Sequence, residues 1–201
     1  MHWSLLQKGV LHRDVNPLNL MWTSGFAARL IDLDLSSMYD EARHEPQDIP
    51  LTFSTPFLAL DLLAATTPQP HLYRHDLEAF YWSFVWIVLD RVPVKTVRHS
   101  IRAWQKGSKE QIYDAKKSFL KSRVFVALSR EFPSYRPIAL CLQKLTKLIA
   151  RAYEHLEPEL GSDLDSDLDS PHSSLDSYLT GGGCITYETF SAIFTQVEKD
   201  N

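Results

Sequence analysis

The sequence is poor in the features that mark secreted, membrane or metal-binding proteins. Its 201 residues include two cysteines, Cys141 and Cys184, which form neither a disulfide framework nor a metal-binding motif. The first ten residues lack the basic and then apolar stretches of a secretory signal. The longest apolar run, Leu77 to Leu89, is interrupted by polar residues and is too short to span a bilayer. We therefore expect an intracellular protein, cytoplasmic or nuclear, with no membrane partner.

Basic residues are missing from one long stretch of the chain. Residues 152–198 contain ten acidic side chains and no Lys or Arg, whereas residues 1–151 carry 20 basic and 14 acidic ones. Within that first part, residues 91–123 hold ten basic and only two acidic side chains. Such a run indicates a solvated face or, alternatively, a docking surface for an acidic protein substrate. No RNA-binding signature accompanies it, so we expect no nucleic-acid partner.

The hydrophobic pattern predicts an α+β fold that is mainly helical. Short apolar runs at 20–22 and 28–31 flank a glycine-containing turn and predict a β-hairpin. A stretch at 76–90 that is apolar on all sides predicts a buried central helix. Amphipathic helices are predicted at about 97–104, 109–120 and 137–156.

We expect three regions along the chain. Residues 1–156 form the folded body. Residues 157–183 are acidic, rich in serine and end in three glycines, so they are predicted to be disordered with a flexible glycine hinge. Residues 184–201 are predicted to carry a short helix at about 187–197.

The chemistry is concentrated in His12-Arg13-Asp14-Val15-Asn16-Pro17-Leu18-Asn19. Phosphoryl transfer needs a carboxylate that orients the acceptor hydroxyl and accepts its proton, and it needs oxygen ligands for Mg²⁺. Asp14 and Asn19 supply these two groups from one loop. The predicted hairpin returns Asp32 to the same loop, where a second carboxylate can complete the metal site. His-Arg-Asp followed by Asn at this spacing is the protein-kinase catalytic-loop signature.

The sequence from about Gln7 to Leu89 resembles a protein kinase C-terminal lobe, and its wording is similar to the fungal-type protein kinase family. The matching phrases are Leu-Ile-Asp-Leu-Asp-Leu at 30–35 and His-Asp-Leu-Glu-Ala-Phe-Tyr at 75–81. The resemblance implies a catalytic loop at 12–19, an activation segment at 32–61 and ATP and Mg²⁺ as cofactors. It implies that Asp14 is the catalytic base and that Asn19 and Asp32 are the metal and nucleotide ligands.

The resemblance also implies supporting roles for other residues. His12 would pack beneath the loop, Arg13 would reach the activation segment, and Asp76 would open the central helix and bond the loop backbone. Asp61 stands in the place of the closing Glu of the activation segment, and Arg136 is the candidate for its ion-pair partner. Thr52, Ser54 and Thr55 are candidate phosphorylation sites.

The sequence departs from the kinase pattern at three points. Asn16 occupies the place of the lysine that contacts the γ-phosphate, so we count it among the catalytic residues. Asp34 replaces the glycine after the metal-binding Asp. Only eleven residues precede His12, and they contain no Gly-rich loop or strand lysine. We therefore expect a truncated copy without an N-lobe, weak Mg-ATP binding, and a missing N-lobe or a partner that covers the exposed core.

Three functions follow from these patterns. The first is ATP-dependent phosphorylation of serine or threonine in a protein substrate. The second is a catalytically weak pseudokinase that acts as a protein-binding module. The third is a small-molecule kinase of the aminoglycoside or choline type, against which Arg13, Asp76 and the 55–61 segment argue.

Overall fold

The structure is a computed structural model, and it describes residues 4–5, 7–24, 28–38, 55–93, 98, 101–160 and 173–199. For residues 157–160, 173–176 and 198 it describes the backbone only. The chain divides into two compact units, Met1–Phe119 and Leu120–Asn201. No helix in the described part is long and apolar enough to cross a membrane.

The strands of the first unit form two small antiparallel sheets. β1 (Val10–Leu11) pairs with β4 (Ser37–Met38), and Val10 faces Met38. β2 (Leu20–Trp22) pairs with β3 (Ala28–Leu30) as the predicted hairpin. The β1–β4 pair was not predicted, because two-residue strands 26 residues apart leave no periodic pattern. Residues 12–19 join the two sheets and are held by a strand at each end.

The central helix of the first unit is α2 (Tyr73–Arg91). Side chains all round it are buried, including Leu77, Trp82, Val85 and Leu89. The helix ends at Arg91 because Val92, which precedes a proline, is extended. The predicted helix started three residues too late, so Asp76 lies in the first turn rather than at the helix start.

The remaining elements of this unit surround α2. A 3₁₀ turn (Thr55–Phe57) and the short helix α1 (Leu60–Ala64) precede it, and a second 3₁₀ turn (Ala103–Gln105) follows it. Helix α3 (Lys109–Leu120) matches its predicted bounds. It begins at Ser108, whose hydroxyl accepts from Gln111 N at 3.3 Å while Gln111 Oε1 accepts from Ser108 N at 3.0 Å.

The second unit is wholly helical where it is described. It contains α4 (Val124–Glu131), a 3₁₀ turn (Pro133–Tyr135), α5 (Arg136–Leu160), α6 (Ser173–Thr180) and α7 (Tyr187–Lys199). The core side chains of α5 recur every three or four residues, as one buried helix face requires. They are Leu142, Leu145, Ile149, Ala152 and Leu156. Helices α4, α6 and α7 pack on α5.

The boundaries of the predicted acidic region differ from the structure. Helix α5 continues to Leu160 and α6 covers Ser173–Thr180, so both ends of the region predicted as disordered are helical. The predicted boundary at residue 156 therefore falls inside a continuous helix. Residues 161–172 lie outside the described part.

The three glycines at 181–183 form a tight turn rather than a hinge. All three have positive φ, and Gly182 N donates to Ser177 O at 2.8 Å, which caps α6. A Cβ on Gly181 would lie 2.8 Å from the Cβ of Ala152, so the turn packs closely on α5. Close packing and a left-handed backbone both require glycine here.

Candidate active site

The carboxylate of Asp14 is held by two amide side chains of its own loop. Asn16 Nδ2 donates to Asp14 Oδ1 at 3.0 Å, and Asn19 Nδ2 donates to Asp14 Oδ2 at 3.0 Å. Asn19 Nδ2 also donates to the backbone oxygen of Asp14 at 2.9 Å. Since each carboxylate oxygen accepts one amide, the plane of the carboxylate is fixed while a lone pair on each oxygen remains for another donor.

Asn16 organises the backbone of the loop as well. Its Oδ1 accepts from Leu18 N at 2.8 Å and from Asn19 N at 3.3 Å, which caps the 3₁₀ turn Pro17–Asn19. Pro17 suits the first position of that turn because its missing N–H needs no partner there. A lysine at position 16 has no side-chain oxygen, so it could not cap the turn. It also has no amide group to donate to Asp14 Oδ1. The replacement therefore has a structural reason that the sequence alone did not show.

The start of the loop is anchored to Asp76 on the central helix. Asp76 Oδ2 accepts from His12 N at 2.8 Å, and Asp76 Oδ1 accepts from Arg13 N at 2.9 Å. These are the backbone bonds that the resemblance implied. His71 Nε2 lies 2.9 Å from Asp76 Oδ1, a third contact that we did not predict. Asp76 is fully buried, so its charge is compensated by these three donors rather than by water.

His12 connects the loop to the hairpin. It is fully buried, its Nδ1 accepts from Asp14 N at 3.3 Å, and its Nε2 lies 3.0 Å from Ile31 O. Ile31 N donates to Asn19 O at 2.9 Å. The residue before Asp32 is thus bonded to both ends of the loop. Asp32 itself is exposed and has a φ of 66°, a left-handed conformation that is uncommon outside glycine.

Arg13 has the same unusual backbone, with a φ of 68°. Its guanidinium is partly buried, and burial lowers its pKa although the nearby Asp76 acts in the opposite direction. Within the described residues, Arg13 Nε is buried and has no hydrogen-bond partner. Its expected partner lies in the activation segment, of which residues 39–54, including Thr52 and Ser54, are outside the described part. Thr55 is only 3% exposed, so it is a poor phosphorylation site.

The end of the segment is fixed by a buried charged cluster around Asp61. The carboxylate accepts a short hydrogen bond from Arg74, and Asp61 Oδ2 lies 2.9 Å from His75 Nε2. Burial alone would raise the pKa of Asp61, but Arg74 and His75 hold it well below its usual range. Both partners come from the first turn of α2. Arg136, our candidate partner, begins α5 in the second unit, and the described contacts do not test its pairing.

His75 is neutral in the folded protein. Burial lowers its pKa to about 4, against the raising effect of Asp61. Its Nδ1 accepts from Leu72 N at 2.9 Å, so the proton is on Nε2, which faces Asp61. His71 and His75 lie four residues apart, and each bonds to an aspartate. The described residues contain no group of three or more His, Cys, Asp or Glu that could hold a metal.

A second buried pair lies beneath the same segment and was also missed. Lys116 Nζ donates to Leu58 O at 2.6 Å and lies 4.4 Å from the centre of the Trp82 ring. Burial holds the pKa of Lys116 well below its usual value, although Glu78 raises it. Glu78 Oε1 accepts from Leu60 N and from Trp82 Nε1, both at 2.9 Å.

A sequence signal for Lys116 did exist. It falls four residues after Ile112 and three before Phe119, on the apolar face of α3. The apolar face of a helix normally packs on the core, so a lysine on that face is expected to be buried. A buried lysine needs a nearby carboxylate and a hydrogen-bond acceptor. Glu78 sits in the same way inside an apolar helix.

Two side chains are candidate ligands for a divalent cation, and the first of them, Asn19, bonds to Asp14. Asn19 uses its amide nitrogen on Asp14, which leaves the amide oxygen, and Asp32 offers an exposed carboxylate. Amide and carboxylate oxygens are the donors that Mg²⁺ prefers. The chemistry of this donor set therefore fits a magnesium ion.

Residues 1–88 match the family model described as fungal protein kinase. This part of the chain is similar to the fungal protein kinase family. The matched region contains the whole loop 12–19, Asp32, the cluster around Asp61 and most of α2. The resemblance drawn from residues 12–19, 30–35 and 75–81 is thereby confirmed.

The fungal protein kinase match ends before the basic stretch and the second unit. A search of curated proteins found no match, and a search of solved structures found none. For the fungal protein kinase region, the observed fold agrees with a mainly helical α+β class with a small hairpin.

Proposed function

We propose that this chain is the C-terminal lobe of a protein kinase that transfers phosphate from ATP to serine or threonine hydroxyls of a protein. The observation that carries the proposal is the Asp14 carboxylate, oriented by two amides in a loop that is tied to a buried aspartate on the central helix. General-base chemistry needs a carboxylate held in this way, since a misplaced base loses most of its effect.

Each residue has a distinct role in the proposed reaction. Asp14 accepts the proton of the substrate hydroxyl as the oxygen attacks phosphorus. Asn16 and Asn19 hold Asp14 in position, and Asn19 and Asp32 would bind Mg²⁺ and the phosphates through oxygen. When bound, Mg²⁺ neutralises negative charge on the transferring phosphate. Arg13 joins the loop to the activation segment. The proposed location of the protein is cytoplasmic or nuclear.

The proposal is tested by phosphate incorporation from radiolabelled Mg-ATP into a panel of proteins. We expect D14N to lower the rate by about 10²–10⁴, the usual range for a lost general base. D114N, an equal change on the exposed face of α3, should leave the rate unchanged. Equal rates for D14N and the original chain would show that another kinase caused the signal. A folded chain with no incorporation at all would contradict catalysis by this lobe alone and would favour the pseudokinase alternative.

A pseudokinase that binds proteins is the second candidate, and one surface favours it. Large apolar side chains are exposed on the hairpin and on the chain before and after it. They are Leu18, Met21, Trp22, Ile31, Leu33, Leu35 and Met38, and the first is 82% exposed. Exposed apolar side chains concentrated in one short part of the chain favour an interaction site. We propose that an N-lobe or another protein covers it.

A small-molecule kinase is the third candidate. Incorporation of phosphate into choline or an aminoglycoside, but not into proteins, would favour it over the first two. The tie between Asp76 and the loop backbone, and the cluster around Asp61, support the protein-kinase alternative.

A further inference from the structure

An open groove lies at the C-terminal end of the central helix, away from residues 12–19 in the sequence. Its volume is about 660 Å³. It is lined by Trp86, Asp90, Arg102, Ala103, Gln105 and Lys106. A groove of this size holds a few side chains of a bound peptide. All of its residues belong to the first unit, and it lies beyond the region that matches the kinase family except at Trp86.

The charged groups of the groove leave an excess of positive charge. Arg102 NH2 lies 3.4 Å from Asp90 Oδ1, and the two side chains are 60% and 42% exposed. A long contact between exposed groups is weak, so a ligand carboxylate can compete for the guanidinium. Lys106 is exposed and adds a second cation. Two cations against one carboxylate leave the lining of the groove with a net positive charge.

The groove also has a fixed aromatic wall. The Trp86 ring packs edge-to-face against Phe57, with ring centres 5.7 Å apart and an interplanar angle of 78°. Phe57 is buried in the 3₁₀ turn at the end of the activation segment. A half-buried indole held by a second ring presents a rigid apolar surface, which binds an apolar side chain at low entropic cost. The wall also places the groove beside the segment that would meet a protein substrate.

We propose that this groove binds a short acidic peptide segment with one aromatic or large apolar side chain. The peptide carboxylates bind Arg102 and Lys106, and its apolar side chain contacts Trp86. The use of the groove to dock a kinase substrate rests on the proposed function, whereas the binding itself does not. The combination of two cations, one weakly paired acid and an indole favours such a peptide over a purely anionic ligand.

The test is fluorescence anisotropy with the full chain and a labelled decapeptide of Glu and Asp around one Phe. A peptide with Gln and Asn in place of the acids is the control ligand. We expect R102E/K106E to weaken binding of the acidic peptide by about tenfold or more, because two attractions become repulsions. K121E/R123E changes the same charge at two exposed residues that do not line the groove, and it should bind as the original chain does.

The outcomes separate the groove from the proposed activity. D14N should bind the peptide unchanged, so a chain that fails to transfer phosphate can still support the groove. Equal loss in both double variants, or equal binding of the neutral peptide, would overturn the proposal. Competition by a short RNA at concentrations similar to those of the acidic peptide would also overturn it, since the site would then recognise anions in general.

Discussion

The two units bury very different chemistry. The described core of residues 1–119 contains His, Asp, Glu, Arg and Lys side chains that are almost fully buried, whereas Thr146 is the only buried polar side chain described in residues 120–201. In the first unit, each buried carboxylate bonds to backbone or side-chain groups that hold either the loop 12–19 or the turn at 55–64. These carboxylates are Asp61, Asp76 and Glu78.

The contrast indicates what the buried charges are for. The described core of the second unit is almost wholly apolar and contains no buried charged side chain. A buried carboxylate costs solvation energy, and its bonds are directional. In the first unit, the buried carboxylates hold two irregular segments in place, the loop 12–19 and the turn at 55–64. Such segments have no helix or sheet of their own to hold them.

The largest effect should come from removing Asp76. D76A leaves His12 N, Arg13 N and His71 without their acceptor in a buried site, and we expect a loss of about 3–5 kcal/mol in the free energy of unfolding. Urea unfolding followed by tryptophan fluorescence measures it, because all five tryptophans lie in residues 1–119. D114A, at an exposed position, is the control. A loss below about 1 kcal/mol would mean that Asp76 does not anchor the loop.

The next effect concerns pH and His75. Its pKa is about 4 when folded and near 6.5 when unfolded, so the unfolded chain binds more protons between these values. The unfolding free energy should therefore fall as pH drops from 6.5 to 4, by on the order of 3 kcal/mol from this group. H75Q keeps a donor for Asp61 and should flatten this window, whereas H155Q, at an exposed histidine, should not. Asp61 has a lowered pKa and loses its contribution only below this range.

In the second unit, glycine substitutions should separate packing from backbone strain. G183A meets no atom within 4 Å, so it should cost only the strain of a left-handed residue, about 1–2 kcal/mol. G181A carries the same strain and also places its Cβ against Ala152, so its loss should be larger. Thermal unfolding followed by circular dichroism compares the two. Equal losses would show that the turn does not pack on α5 as described.

The smallest effect should come from Thr146. Its hydroxyl donates to Leu142 O of the same helix at 2.7 Å, and that bond positions no other segment. T146V should change the unfolding free energy by less than about 1 kcal/mol, the net value of one neutral hydrogen bond. Circular dichroism in urea measures it. A loss above about 2 kcal/mol would remove the contrast between the units.

The sequence was sufficient for elements whose pattern is local. The hairpin, the bounds of α3 and the buried central helix followed from turn residues and from helical periodicity. The bonds from Asp76 to the loop backbone followed from the resemblance to a kinase. Residues 12–19 identified the site because catalytic chemistry requires particular side chains at fixed spacing.

Contacts between distant residues were beyond the sequence. Nothing in the pattern joins β1 to β4, or Lys116 to Leu58, since each pair is set by the packing of other elements. Asp61 bonds to Arg74, which lies 13 residues away and is brought close by the turn into α2, and this contact was not predicted. Helix α6 was missed because its serine-rich and acidic composition is typical of disorder, whereas the helix is described packed on α5.

The pairing of Val10 with Met38 has a consequence for how the activation segment can vary. β4 pairs with β1 beside the loop 12–19, and the 3₁₀ turn that begins at Thr55 packs against the central helix. Both attachment points are fixed by hydrogen bonds and packing among described residues. Lengthening a tethered segment costs little, about 0.6 kcal/mol for each doubling. We therefore expect insertions between the two attachment points to cost little stability and to leave Asp14 and Asp32 in place.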